Sequence, residues 1–382
     1  MREGWKNVKL GDVCKLEKNK HQGNGLAYVG LEHIESGTGQ FLGSLNPVNV
    51  RSVTFCFDPQ HILFGRLRPY LNKVFLPDFK GHCSSEIFPL KVNSEILKRF
   101  LYYWITSQPI ANEINRTCTG TRMPRANVNE VMNFEINLPP IPEQKRIVAI
   151  LDEAFAEIEK ATANTEKNIT NSLELFDGYR DSIFQKKFEI WGHKELGNIC
   201  ENLDSKRVPI TKSKRTPGDI PYYGASGIVD YVNKYLFDED LLLVSEDGAN
   251  LLARTYPIAF SISGKSWVNN HAHVLRVANY ESQKFIEYYL NSISLAPYVS
   301  GMAQPKLNQK ALNSIPVPFP EIDIQREVVQ KLDDLSVKTK ELGVIYRQKL
   351  TALAELKQSL LQKAFSGELT SKSCDELEKA AA

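Results

Sequence analysis

Apolar residues recur on a 4-3 spacing in two stretches of this chain. The first runs through Ile147, Leu151, Ala154, Ile158, Ala161, Thr165, Asn168, Ser172, Leu175 and Tyr179. The second runs through Val328, Leu332, Leu335, Thr339, Leu342, Tyr346, Lys349, Leu353, Leu356 and Leu360. Ten positions per stretch on a 3.5-residue period predict two coiled-coil helices rather than ordinary surface helices. Each opens after a proline-rich stop, Leu138-Pro139-Pro140-Ile141-Pro142 and Pro318-Phe319-Pro320, where proline ends a strand and suits a first helical turn. At 1.5 Å per residue the first predicts a rod of roughly 65–70 Å. Gly178 inside it costs about 1 kcal/mol relative to alanine. Thr165, Asn168 and Ser172 put polar groups into the first seam, either through partial exposure or as a device that fixes register.

The remaining stretches read differently. Short runs such as Ile62-Leu63-Phe64, Glu86-Ile87-Phe88-Pro89-Leu90, Leu241-Leu242-Leu243-Val244 and His273-Val274-Leu275-Arg276-Val277, divided by Gly, Pro and Asn, predict strands. One helix accompanies each set, over Ser94–Ser107 and Ser282–Ser292.

These parts come in two copies. Leu10-Gly11-Asp12-Val13-Cys14 returns as Leu196-Gly197-Asn198-Ile199-Cys200, preceded by Trp5 and Trp191. Gly120 to Asp152 aligns without gaps on Gly301 to Asp333, with nine of 33 positions identical: Gly120/Gly301, Pro124/Pro305, Asn127/Asn308, Pro139/Pro320, Ile141/Ile322, Gln144/Gln325, Val148/Val329, Leu151/Leu332 and Asp152/Asp333. Phe100 aligns on Phe285, Tyr103 on Tyr288, and Gln185-Lys186-Lys187-Phe188 on Gln362-Lys363-Ala364-Phe365. The offset falls by four residues between the Asp152/Asp333 and Gln185/Gln362 anchors, so the first helix is predicted to be about one turn longer. A period near 180 exceeds the ~20–50 residues of a solenoid unit. The chain is a duplicated domain: one fold carrying two different surfaces.

Composition narrows the classes. Of 382 residues 42% are hydrophobic, too many for a disordered chain. No apolar run approaches the ~18 residues of a membrane span, and the N-terminus lacks a signal-peptide core. Six cysteines (Cys14, Cys56, Cys83, Cys118, Cys200, Cys374) are spread without a C-x-x-C pair, which predicts a reducing cytoplasm rather than a disulfide scaffold or zinc ribbon. The overall net charge of +2 hides a division: residues 1–140 carry +5, 141–190 carry −3, 191–320 carry +1 and 321–382 carry −1.

Nucleic-acid binding needs clustered cations, and the globular parts supply clusters. The first has Arg66, Arg68 and Lys73 in one loop, and Thr121, Arg122 and Arg125 in another. The second has Lys206, Arg207 and Lys214, then Lys265, His271, Gln304 and Lys306. Arg beside Thr, Asn and Gln in Gly/Pro-bounded loops suits base edges as well as phosphates. Gly264-Lys265-Ser266 resembles the end of a phosphate loop, but the required first glycine is Ala259. The common dinucleotide, zinc-protease and hydrolase signatures are missing. His271 and His273, two apart on a predicted strand, face one side, and a polar or structural role suits them better than metal binding. Catalysis by this chain alone is not expected. A coiled-coil scaffold with two protein-binding modules is the alternative class.

Leu138-Pro139-Pro140-Ile141-Pro142-Glu143-Gln144-Lys145-Arg146-Ile147-Val148-Ala149-Ile150-Leu151-Asp152, with its degenerate second copy from Phe319 to Asp333, resembles the specificity subunits of type I restriction-modification systems. The second copy departs in having Ile324 where the first has Glu143. The resemblance covers essentially the whole chain. It implies an α+β fold: two mixed α/β target-recognition domains separated by two long antiparallel coiled-coil helices, in a pseudo-twofold internal repeat. The expected boundaries are 1–140 and 191–320 for the recognition domains, 141–190 and 321–370 for the helices, and a flexible tail over 371–382. The resemblance implies a non-catalytic, cofactor-free, cytoplasmic subunit that reads a bipartite asymmetric target on double-stranded DNA. Two modification subunits, carrying the S-adenosylmethionine chemistry, and ATP-driven restriction/translocase subunits would be its partners. Gln144, Ile147 and Leu151, with Gln325, Val328 and Leu332, are the expected helix positions for partner docking.

Overall fold

The computed structural model describes residues 4–21, 25–48, 50–301 and 304–371. Met302, Ala303, Cys374 and the expected tail beyond residue 371 lie outside these. The chain divides into two compact units, residues 1–165 with 348–382, and residues 166–347. Each is described separately.

In the first unit, β1 (Lys6–Lys9), the one-turn α1 (Leu10–Val13) and β2 (Cys14–Leu16) lead to β3 (Ala27–Val29), β4 (Thr54–Phe57), β5 (His61–Gly65), β6 (Val74–Phe75), β7 (Gly81–Ser84) and β8 (Ile87–Val92). Helices α2 (Lys98–Thr106), α3 (Gln108–Arg116) and α4 (Val128–Val131) follow, then β9 (Glu135–Leu138) and α5 (Ile141–Trp191), which continues into the second unit. The second unit runs β10 (His193–Glu195), α6 (Leu196–Ile199), β11 (Cys200–Asn202), β12 (Ile220–Gly224), β13 (Gly227–Val232), β14 (Phe237–Asp238) and β15 (Leu241–Ser245). It continues through α7 (Asn250–Ala253), β16 (Ala259–Ile262), β17 (Lys265–Val268), β18 (Ala272–Val277), α8 (Tyr280–Ser292), α9 (Gln309–Asn313), β19 (Pro316–Pro318) and α10 (Ile322–Ser366).

The strand orders expose the duplication. The first unit has sheets β2-β8-β5-β6, β3-β7-β4 and β1-β9; the second has β11-β18-β15-β16, β13-β12-β17-β14 and β10-β19. β3 pairs parallel with β7 as β12 does with β17. Both one-turn helices, α1 and α6, are the repeated Leu-Gly motif, with Leu10 and Leu196 fully buried. Among the described residues β13 is the strand without a counterpart. The predicted helix at 94–107 is shorter, and α3 follows it at once, opened by Pro109 in its first turn.

Each unit buries its own share of both long helices. Ile147, Leu151, Leu361 and Ala364 belong to the first core, and Phe184, Val328, Val329 and Leu332 to the second. Within each unit the two helices run antiparallel: Lys357, near the end of α10, lies 5.0 Å over the Phe155 ring, near the start of α5, in the first, and Val328 and Leu332, near the start of α10, share a core with Phe184, near the end of α5, in the second. α5 has 51 residues and α10 has 45.

The seam departs from the strict 4-3 pattern halfway along both helices. Beyond Thr165, Ile169, Phe176 and Arg180 are covered, while Asn168, Leu175 and Tyr179 are exposed. Beyond Thr339, Gly343, Leu350 and Lys357 are covered, while Leu342, Lys349 and Leu356 are exposed. Most seam positions beyond these threonines have moved one residue toward the C-terminus. A helix of 3.6 residues per turn drifts against a 3.5-residue repeat, and an extra residue brings the stripe back. The Thr165 and Ser172 hydroxyls donate to Ala161 and Ile169 carbonyls of their own helix, at 2.7 and 2.8 Å. Thr165 is buried, Ser172 partly covered and Asn168 exposed.

The six residues expected to dock partners are occupied inside their own units. Gln144, Ile147, Leu151 and Leu332 are fully buried, and Gln325 and Val328 nearly so. The Gln144 amide accepts from Leu97 N and donates to the carbonyls of Glu95 and Pro139, each at 2.8 Å. Gln325 donates to the Pro320 carbonyl at 2.6 Å. Tyr103 donates to Asp152, and Tyr288 to Asp333 at 2.5 Å. The repeated motif is thus a joint between helix and globular part, and its buried side chains present no docking surface.

Candidate nucleic-acid interface

Both units mount a loop on the same main-chain frame. In the first, Thr119 and Arg125 exchange backbone hydrogen bonds at 3.1 Å, Arg68 N donates to Pro124 O at 2.8 Å, and Ala126 N to Arg66 O at 2.9 Å. In the second, Ser300 and Lys306 exchange bonds at 2.9 and 2.8 Å, Gly248 N donates to Pro305 O at 3.0 Å, and Leu307 N to Glu246 O at 2.8 Å. Gly120 and Gly301 open these loops with φ of 88° and 84°, the left-handed region that glycine enters freely. Strand ends complete the frame, through Arg66 N to Glu86 O at 3.0 Å and Glu246 N to His271 O at 2.9 Å. By these bonds Arg66 corresponds to Glu246, and Glu86 to His271. An arginine and a glutamate of the first unit thus stand where the second has a glutamate and a histidine.

In the first unit the frame gathers Arg66, Arg68, Lys73, Arg122 and Arg125 at one end of the sheets. Arg68, Thr121 and Arg122 are exposed, as is Tyr70. Arg68 holds φ 51°, a left-handed backbone that non-glycine residues adopt rarely. Lys73 donates to the Leu31 carbonyl at 2.7 Å. Arg66 and Arg125 both grip Glu86, at 2.9 Å and 2.9–3.1 Å, and Arg66 also lies 5.0 Å over Phe88. Burial raises the Glu86 pKa, but Arg125 and Arg66 outweigh it and hold the carboxyl below its ordinary value. This carboxylate, which the sequence pattern did not single out, orients two of the five cations and halves their joint charge.

The second unit is arranged otherwise. His273 is buried, its Nδ1 at 2.6 Å from Asp204 and its Nε2 at 2.8 Å from the Leu307 carbonyl. Arg207 donates to Glu246 and to the Ala272 carbonyl, both at 2.6 Å, and Lys306 stands 3.1 Å from Glu246. Burial raises the Asp204 and Glu246 pKa values; His273 and Arg207, with Lys306 at Glu246, overcome it and hold both below normal. Asp204, Glu246 and His273 place ligand-type atoms within 4.8 Å of one another, but Arg207 and Lys306 already occupy these carboxylates. A divalent ion would have to displace both, so the chemistry is that of an ion network under the loop. His271 is exposed and sits 2.9 Å from Asp247. The two histidines thus have separate acidic partners and opposite exposure, although they stand two residues apart.

Among the remaining expected residues, Lys206, Lys214 and Gln304 are exposed. Lys265 opens β17, at the end away from Val268 and Asn269, roughly 10 Å along the strand, and lies 5.1 Å over Tyr235. Gly264-Lys265-Ser266 is a turn into a strand, not the strand-to-helix turn of a phosphate loop. The frame brings together Arg207, His271, Gln304 and Lys306; Lys265 stands apart. Among the described residues no helix is long and apolar enough to cross a membrane.

The family described as type I restriction modification DNA specificity domain matches residues 2–168 and again 189–344. A putative type I restriction enzyme specificity subunit of Haemophilus influenzae is 36% identical over 148 residues, 39% of this chain and 38% of that protein. The EcoDI specificity subunit of Escherichia coli is 28% identical over 181 residues, 47% of this chain and 39% of its own. The matches thus span well under half the length of these relatives. A chain from a structure concerned with complex assembly and conformational transition of the type I R-M system superimposes with a TM-score of 0.79 at 20% identity, covering 97% of this chain and 99% of that one. The HsdS subunit of Thermoanaerobacter tengcongensis gives 0.63 at 22% identity, over 97% and 98%. At such identities the structural likeness concerns the fold.

Proposed function

Because this chain belongs to the type I restriction modification DNA specificity family, matched over both of its repeats, we propose that it reads a bipartite, asymmetric target on double-stranded DNA. Each unit reads one half-site. The chain performs no chemistry itself and directs adenine methylation and restriction by partner subunits in the cytoplasm. Two modification subunits bring S-adenosylmethionine chemistry, and restriction subunits bring ATP-driven translocation.

One observation carries the reading: an identical main-chain frame holds loops of different chemistry in the two units. A shared mount with unlike side chains suits two readers of unlike sequences. Arg68, Thr121, Arg122 and Arg125 serve the first half-site, and His271, Gln304 and Lys306 the second. In this reading Lys206 and Lys214 take phosphates, Lys73 does so only with an N–H left over from its bond to Leu31 O, and Arg66 and Arg207 position the loops through Glu86 and Glu246.

Methylome sequencing of cells carrying this chain with its modification subunits tests the proposal. The expected result is two unlike half-sites at a fixed spacing, with Arg122→Ala altering only the first and Gln304→Ala only the second. A contiguous or symmetric motif, or loss of both half-site preferences from either change, overturns it. DNA binding whose affinity does not fall with salt would remove the phosphate contacts on which the reading depends.

A further inference from the structure

Among the described residues, strand β13 is the one strand of the second unit that the first lacks. It is an edge strand, and three of its large side chains face water: Ile228 at 48% exposure, Val229 at 56% and Tyr231 at 51%. Edge strands in soluble proteins are ordinarily blunted with charge or proline rather than lined with apolar groups. Asp230 is its one charged residue, and it is engaged: Arg215 donates to it at 2.9 Å while lying 4.2 Å over the Tyr222 ring. The strand is also bulged. Tyr222 pairs with Asp230 and Tyr223 with Ile228, leaving Val229 as the extra residue. A bulge re-aims side chains and is common beside functional sites.

The turn of this hairpin is fastened to the loop frame. Ser245 Oγ donates to the Ala225 carbonyl at 2.5 Å, and Asn269 N donates to Tyr223 O at 3.0 Å. Ser245 ends β15 directly before Glu246, which the frame holds against Leu307, and Asn269 accepts from His271 N at 2.8 Å. The hairpin tip and the loop ending at Lys306 therefore share one end of the unit. Exposed Lys212 and Lys214 flank the strand, with Lys212 acting on Asp230. The frame itself offers the second unit little free positive charge, because Arg207 and Lys306 are both set against Glu246.

Resting on the DNA-reading function above, the geometry points to β13 as a DNA-contacting edge peculiar to the second unit. Ile228, Val229 and Tyr231 lie against base edges in the major groove, where the thymine methyl is the apolar feature to be read. Lys212 and Lys214 take the adjoining phosphates. The occupant is a duplex rather than a protein because the apolar strip is bordered by cations and tied to the loop frame.

The test uses the full chain assembled with its modification subunits, selecting bound duplexes from a library randomised over both half-sites. Ile228→Ser with Val229→Ser is expected to flatten selection for thymine at one or two positions of the second half-site, by about fourfold for each thymine methyl left uncovered. The first half-site stays unchanged and reports that the variant is folded and assembled. Lys212→Ala with Lys214→Ala is expected to weaken binding uniformly and to reduce the log–log salt slope by about two. If Ile228→Ser with Val229→Ser leaves thymine selection at the second half-site unaltered, β13 does not touch DNA, whatever the lysine variants do to the slope. Lost subunit assembly with intact DNA selectivity would make the edge a protein dock, and also overturns the inference. Failure of the unmutated complex to select a bipartite target would instead sink the underlying reading, and that arm is scored separately.

Discussion

Replacing Gln144 by alanine removes an amide that is fully buried and makes three hydrogen bonds, all to main-chain groups of its own unit. Alanine leaves the Leu97 N–H and the Glu95 and Pro139 carbonyls without this partner. Pro139 is buried, Leu97 half-buried and Glu95 exposed; a buried orphan costs about 1–3 kcal/mol and one open to water far less, so Gln144→Ala should destabilise the first unit by roughly 3–4 kcal/mol. Gln325 supplies an internal control, because the repeat places the same side chain at the same joint. It makes one bond, to Pro320, and its buried Oε1 has no partner among the described residues. Gln325→Ala loses that bond but removes an existing orphan, so its net cost should be about 1 kcal/mol or less. The lost packing is common to both and cancels in the comparison. A difference near 3 kcal/mol corresponds to a roughly hundredfold change in local opening. Native-state hydrogen exchange resolved by peptide, following α2 and α3 in the first unit and α8 in the second, reads the two effects separately. Equal losses of protection from the two substitutions would refute the reasoning, as would a change of under 1 kcal/mol for Gln144→Ala.

Glu86→Gln releases Arg66 and Arg125, so DNA affinity should rise and the log–log salt slope steepen by about one, measured by anisotropy titration. The lowered Glu86 pKa means that its contribution to stability is present above the ordinary glutamate range and lost as pH falls through the depressed value; acid unfolding of Glu86→Gln should lack that step. Burial pushes the Cys14, Cys83 and Cys200 thiols up to about 12, so brief alkylation of the native protein near pH 8, read by mass spectrometry, should spare them and modify Cys118 faster. Gly301→Ala should cost more than Gly120→Ala: both sites have positive φ, but the added methyl meets Gln304 O at 2.6 Å in the first case and Met123 O at 3.4 Å in the second. Thermal melts of the two variants compare them, and equal losses would contradict the clash.

The long helices were legible because proline stops and an apolar stripe are local signals. Their phase was not. Leu175, Leu342 and Leu356 are apolar yet exposed, while Arg180 and Lys357 lie along the covered face, where long side chains can bury their stems and keep their charge wet. The strands at 62–64, 86–90, 241–244 and 273–277 were also readable, since each is a short apolar run. The parallel pairings β3–β7 and β12–β17 join residues more than 40 apart, and no local pattern announces them. For the same reason the cationic loops could be found from their residues, but the occupation of Arg66 and Arg207 could not. Their acceptors, Glu86 and Glu246, lie 20 and 39 positions away and read in sequence as ordinary strand-end acids. β13 escaped notice because its apolar residues carry no sign of being outside.

The frame beneath each loop is built from peptide groups, apart from the glycine that opens it. Peptide groups are the same whichever amino acid bears them. Arginine and glutamate, or glutamate and histidine, can therefore occupy matching posts without disturbing the bonds that hold the loop in place. Mutational drift at the tips then carries little penalty in folding. A lineage can wander between target sequences through intermediates that remain well folded throughout, altering what is read while leaving the apparatus of reading intact.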